Sequence, residues 1–159
     1  MKTCHTSNQS QAINGRPYPL PRFRVTLVRE NRASFPVAAI QDSRTAADLL
    51  APHFKNLDRE QFVVCGLNAK HRIIGLNVVS VGSLTVTIEV FKPLILMNAC
   101  AVLCAHNHPS GDPSPSPEDH ALTARLRQAG DVLGITLLDH IILGDSRTYS
   151  FADQGWAGA

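Results

Sequence analysis

The chain has 159 residues, 44% of them apolar, and a formal net charge of +2. That length suits one domain with a real core, and so small a charge gives no reason by itself to expect nucleic acid as a partner. No apolar run approaches the ~18 residues of a membrane span, and the polar stretch Met1 to Gly15 lacks the apolar centre of a signal peptide, so a cytoplasmic protein with reduced Cys4, Cys65, Cys100 and Cys104 is expected.

In chain order, residues 1–21 read as a tail, rich in Ser, Asn, Gln and Pro and poor in core formers. Residues 22–159 read as a single domain. Phe23 to Val28 alternates like a short strand. With Arg16, Arg22, Arg24, Arg29 and Arg32 nearby, this end is either a solvated edge strand or a docking surface. Asp42-Ser-Arg-Thr45 caps a helix that Pro52 disturbs or ends. Phe62 to Leu67 and Ile73 to Val81 read as a hairpin around Asn68 to His71. Leu84 to Ile88 is strand-like. Glu89 to Asn98 reads as a helix with Pro93 near its first turn.

Cys100 to His106 reads as a buried strand, and His108 to Pro115 as a loop dense in Pro, Gly and Ser. Pro117 to Gly130 is the best-marked helix. Ser116 can cap it, Pro117 suits its first position, and Leu122, Leu126, Ala129 and Leu133 form an apolar stripe. Leu137 to Leu143 and Tyr149 to Phe151 complete the strands. Strands interleaved with helices imply an α/β layered architecture.

The chemistry sits between the buried strand and that helix. His106 and His108 are spaced i, i+2, which on a strand puts both imidazoles on one face. Asp119 follows eleven residues after His108, at a helix start. Two histidines, one carboxylate and a position left to water is the ligand count of a catalytic zinc site. Asp119 has a second reading, as the acid of a capping box. Ser116 likewise reads as a bare cap or as a hydroxyl that donates to a developing oxyanion. A general base is also needed. Glu60, at the start of a strand, is preferred for it, with Glu89 and Glu118 as rivals by type. Cys100 and Cys104 read as buried thiols, because their spacing fits no usual zinc pair. His140 reads as a hydrogen-bonded core histidine, while His53, His71 and His120 read as surface or helix residues. A nucleobase deaminase is set aside, since it needs H-x-E and P-C-x-x-C.

An upstream glutamate, H-x-H, seven residues and S-x-x-D resembles the JAMM (MPN-plus) metalloprotease motif, here Glu60, His106-Asn-His108 and Ser116-Pro-Glu-Asp119. More narrowly, His106 to Pro113, Val79 to Leu84, Glu60 to Val64 and Leu137 to His140 resemble the RadC-like family of bacterial JAMM proteins, over about residues 45–155. The resemblance implies a cytidine-deaminase-like three-layer α/β/α fold with a mixed central sheet. It also implies one zinc ion and metallopeptidase or isopeptidase chemistry on a peptide or isopeptide-linked protein. His106, His108 and Asp119 match the family's metal ligands, Glu60 its general acid/base and Ser116 its oxyanion-stabilising serine. The competing expectation is a non-catalytic or DNA-associated module of a mobile element or repair system. Two departures stand out. The chain resembles short forms without an N-terminal helix-hairpin-helix region, and Thr87-Ile88 runs straight into Glu89 where the family usually carries extra residues.

Overall fold

A computed structural model of the chain describes residues 24–28, 30, 40–81 and 87–159. The expected tail, Phe23, Arg16, Arg22, Arg29, Arg32 and residues 84–86 of the fourth expected strand lie outside the described residues. The described elements are α1 (Ser43–Phe54), β1 (Gln61–Leu67), β2 (Ile73–Val81), α2 (Thr87–Leu96), β3 (Ala101–Asn107), α3 (Pro117–Leu133), β4 (Thr136–Leu143) and β5 (Thr148–Ser150).

The five strands form one sheet in the order β2-β1-β3-β4-β5. Only β3 and β4 run parallel. A parallel neighbour requires a crossover, and α3 supplies it. The other three pairs are antiparallel. The β1–β2 loop is closed by Asn68, whose Oδ1 accepts from the amides of Lys70 and Arg72, as Asn side chains do in turns.

Alternation along β1 and β3 sorts the core into two layers. Val63, Cys65, Leu67, Ala101, Leu103 and Ala105 face α1, where Ala46, Ala47, Leu50 and Phe54 meet them. Phe62, Val64, Val102 and Cys104 face the opposite way, toward Val90, Phe91 and Leu94 of α2 and Leu122 and Leu126 of α3. The result is the expected α/β/α arrangement with a mixed sheet in the middle. Strands buried on both faces read as continuous apolar runs, which is why β3 lacks a polar alternation. Each fully buried Leu contributes about 1.5–3 kcal/mol. Burial pushes the Cys65 thiol up to about 12, and burial with Cys65 and Asp139 nearby raises Cys104 well above the usual thiol range.

Several expectations need correction. Arg24 to Val28 form no strand, and Val25, Leu27 and Val28 stay exposed. Thr87 and Ile88 open α2 instead of closing a strand. Packing of Val90, Phe91 and Leu94 against the sheet outweighs their β preference. Pro93 therefore falls in the second turn, not the first. α1 continues through Pro52 to Phe54. Cys100, at a turn before β3, is exposed instead of buried. Leu133 is 46% exposed, so the apolar stripe of α3 stops short of it.

α3 ends where Gly134 takes the left-handed conformation at φ 70° and its N–H donates to the Gly130 carbonyl, a common helix stop. The Ile135 amide donates to the same carbonyl at 3.0 Å. A Cβ added at Gly130 would lie 2.5 Å from the Ile135 carbonyl oxygen. Gly130→Ala therefore reverses the usual helix-propensity gain of about 1 kcal/mol. We expect a net loss of about 1–2 kcal/mol, as in other overpacked sites. A urea-denaturation midpoint below wild type fits this expectation, and a raised midpoint contradicts it.

Candidate metal centre

β3 ends where α3 begins, at the carboxyl end of the sheet's parallel pair, a usual position for ligand sites in α/β sheets. His106 pairs with Phe62 of β1 and their rings stack at 5.9 Å, so both lie on the α3 side of the sheet. His108 follows two residues on and shares that face. Asp119 reaches the same point from the first turn of α3. It is locked there by a capping box: Ser116 N and Oγ both donate to its Oδ2 at 2.7 Å, and its own amide donates to Ser116 Oγ at 3.2 Å.

The three predicted ligands therefore meet. His106 Nε2 is 3.0 Å from His108 Nε2 and 3.2 Å from Asp119 Oδ1, while His108 Nε2 is 3.6 Å from Asp119 Oδ2. All the candidate ligand atoms lie within 4.8 Å of one another. Zinc–ligand distances of ~2.0–2.1 Å at tetrahedral angles put neighbouring ligand atoms about 3.3 Å apart, and the observed spacings bracket that value. His106 is fully buried and Asp119 is 1% exposed.

The donor inventory fits a cation as well. His108 Nδ1 lies 2.8 Å from the Asp112 carbonyl. A carbonyl only accepts, so Nδ1 carries the proton and Nε2 faces the site with a free lone pair. Asp119 Oδ1 is one of only three buried side-chain atoms without a hydrogen-bond partner among the described residues. Such an orphan costs about 1–3 kcal/mol, and a bound cation removes that cost. Burial alone raises the Asp119 carboxyl, but the adjacent His106 and the Ser116 donors outweigh it and hold it well below the usual carboxylate range. The residues present thus fit a divalent metal.

Glu60 precedes β1 by one residue. It stands two positions before Phe62, whose partner across the ladder is His106. Its Oε1 is the second orphan. The rivals stand elsewhere: Glu118 is exposed on α3, and Glu89 lines a groove between α2 and β2. The Ser116 hydroxyl points at Asp119, so its capping role is the one the geometry displays.

Two neighbours of the site escaped sequence reasoning. Asn107, between the histidines, turns to the opposite face. Its Oδ1 accepts from the Gln61 amide at 2.9 Å and its Nδ2 donates to the Arg59 carbonyl at 3.1 Å. One side chain thereby grips both residues flanking Glu60. Thr123 is fully buried on α3 and contacts His140, which in turn contacts His106. His140 is the hydrogen-bonded core histidine expected from its strand, and burial lowers it well below the usual imidazole range. The adjacent Asp139 accepts from the His140 and Ala152 amides and the Ser150 hydroxyl, which ties β4 to the end of β5. Its main-chain pattern alone carried no such signal. His53, read as a surface or helix residue, lies on α1 and is half-buried, with Nε2 3.0 Å from Gln61 Oε1.

Asp119→Asn keeps the shape but removes the anionic ligand. We expect zinc affinity, measured by chelator competition, to fall more than ~100-fold, beyond the usual effect of outer-shell changes. Unchanged affinity would exclude Asp119 as a ligand.

Comparison with known proteins agrees with this geometry. Residues 40–156 match the family described as the RadC-like JAB domain. A UPF0758 protein of Shouchella clausii is 46% identical over 132 residues, covering 80% of this chain and 56% of the relative. A UPF0758 protein of Moorella thermoacetica is 47% identical over 119 residues, covering 72% of this chain and 52% of the relative. One from Symbiobacterium thermophilum is 48% identical over 116 residues, covering 70% and 50%. The chain thus spans about half the length of the curated relatives it matches. With a metal-ready triad at the end of β3 and a family match over most of its length, the chain belongs to the RadC-like JAB domain family.

Proposed function

We propose that this chain is a zinc-dependent hydrolase of the JAMM type, a metallopeptidase or isopeptidase that uses an activated water. The observation that carries the reading is the meeting of His106 Nε2, His108 Nε2 and the orphaned Asp119 Oδ1 at a largely buried point. Two imidazoles and one carboxylate, with no thiolate in the set, suit a catalytic zinc ion with one open position. When bound there, such an ion lowers the pKa of its water from 15.7 toward about 7 and polarises a scissile carbonyl.

The chain's own residues supply the rest. Glu60 takes the proton of the attacking water and returns it to the leaving amine. Its unpartnered Oε1 and the grip of Asn107 on its neighbours support that role. Ser116 donates to the developing oxyanion after its hydroxyl turns from Asp119 Oδ2, while its amide keeps that oxygen in place. The Asp112 carbonyl holds His108 in one tautomer throughout. The substrate is a peptide or isopeptide-linked protein. Residues 22–159 act as one domain behind a tail, in a cytoplasmic setting that the buried free thiols of Cys65 and Cys104 favour.

Glu60→Gln tests the assignment, with internally quenched peptides and Lys-linked isopeptides as probes. The variant should bind zinc as wild type does and lose about 100- to 10,000-fold in kcat, the range for a general acid/base. Turnover equal to wild type would remove Glu60 from the mechanism. A wild-type protein that binds zinc yet cleaves none of the probes would count against peptide chemistry.

A further inference from the structure

The hydrogen bonds behind His106 have a direction, fixed at a backbone carbonyl. Thr123 Oγ1 lies 2.6 Å from the Asp119 carbonyl oxygen and 2.7 Å from His140 Nδ1. A carbonyl has no proton to give, and two oxygens that close repel unless a proton lies between them. The Thr123 hydroxyl therefore donates to Asp119 and is left as an acceptor for His140. His140 Nδ1 carries the proton.

His140 has no exposed surface. Phe151 stacks on it at 5.2 Å and Phe62 meets it edge-on at 5.3 Å. Thr123 takes its Nδ1 and His106 its Nε2, and an imidazole that holds its proton at Nδ1 offers Nε2 as an acceptor. Its Nε2 is then a bare acceptor, 2.9 Å from His106 Nδ1. His106 must place a proton on Nδ1, which leaves Nε2 to face His108 and Asp119.

We propose that Thr123 and His140 are positioning residues that hold His106 in the tautomer able to bind a cation. The chain of donors runs His106 Nδ1 to His140 Nε2, His140 Nδ1 to Thr123 Oγ1, and Thr123 to the Asp119 carbonyl. Its two ends belong to two of the three candidate ligands, so strand β3 and helix α3 are coupled through β4. The reverse polarity would leave two unprotonated oxygens at 2.6 Å and put a proton on His106 Nε2, in the middle of the site. This inference rests on the metal reading above but not on the hydrolytic one.

Long-range 15N–1H NMR of the full chain, metal-free and zinc-loaded, reads the tautomers. In both forms His140 should be protonated at Nδ1 and bare at Nε2. Thr123→Val removes the hydroxyl at nearly constant volume. It should weaken zinc binding by about 10- to 100-fold, as outer-shell losses do, and let His140 populate its other tautomer, while Thr123→Ser restores both. A wild-type His140 protonated at Nε2 overturns the proposal, whether or not the variants fold. So does a Thr123→Val protein with wild-type tautomers and zinc affinity within about twofold, well short of the usual outer-shell loss. Failure of the wild type to bind zinc would sink the metal reading, and the metal-free spectrum would still decide the tautomers.

Discussion

Three lone pairs aimed at one point impose the constraint on which this structure depends. His106 Nε2, His108 Nε2 and Asp119 Oδ1 approach within 3.0–3.2 Å along two of their contacts, with the Asp119 oxygen lacking any hydrogen-bond donor. The capping box, the Asp112 carbonyl and the strand backbone hold these groups in place. A divalent cation would be met by all three, and binding there would stabilise the fold that brings them together.

The scaffold divides the work of holding it. β3 sets two imidazoles by simple alternation. The capping box of α3 turns a helix start into a ligand mount, so Asp119 serves local helix stability and the site together. Asn107 fastens the residues on either side of Glu60, Arg59 and Gln61, across the strand gap. β4 lies behind the site and contributes His140, boxed by Phe62 and Phe151. The loop after His108 is pinned to the β4–β5 turn: the His108 amide donates to Leu143, and the Asp145 amide donates to Gly111. Gly144 is required at that contact, since a Cβ there would lie 2.3 Å from the Gly111 oxygen. Rigid supports of this kind keep a site within the tolerance that metal chemistry needs.

Much of this could be read from the residues, for physical reasons. The strand period of two puts His106 and His108 on one face, and Ser116-Pro-Glu-Asp119 announces a helix start that carries a carboxylate. The unbroken apolar run of β3 reads as a buried strand, and the cap and apolar residues of α3 read as a helix, for equally local reasons. What escaped depends on contacts distant in sequence. A threonine inside a helix reads as a surface residue, and only the approach of β4, 17 residues on, makes Thr123 a partner for His140. Asn107 looked like the spacer of an H-x-H motif, yet its neighbour across the sheet gives it two bonds. Thr87 and Ile88 carried β-branched side chains into a helix because the apolar face of α2 had a sheet to cover. Cys100 has apolar neighbours in sequence but sits at the bend before β3, where it is exposed.

Zinc K-edge X-ray absorption on the loaded full chain tests the central claim most directly. The account predicts a first shell of four nitrogen and oxygen atoms at ~2.0–2.1 Å, with the outer scattering pattern of two imidazoles. A sulfur shell at ~2.3 Å, or the signature of a single imidazole, would contradict it.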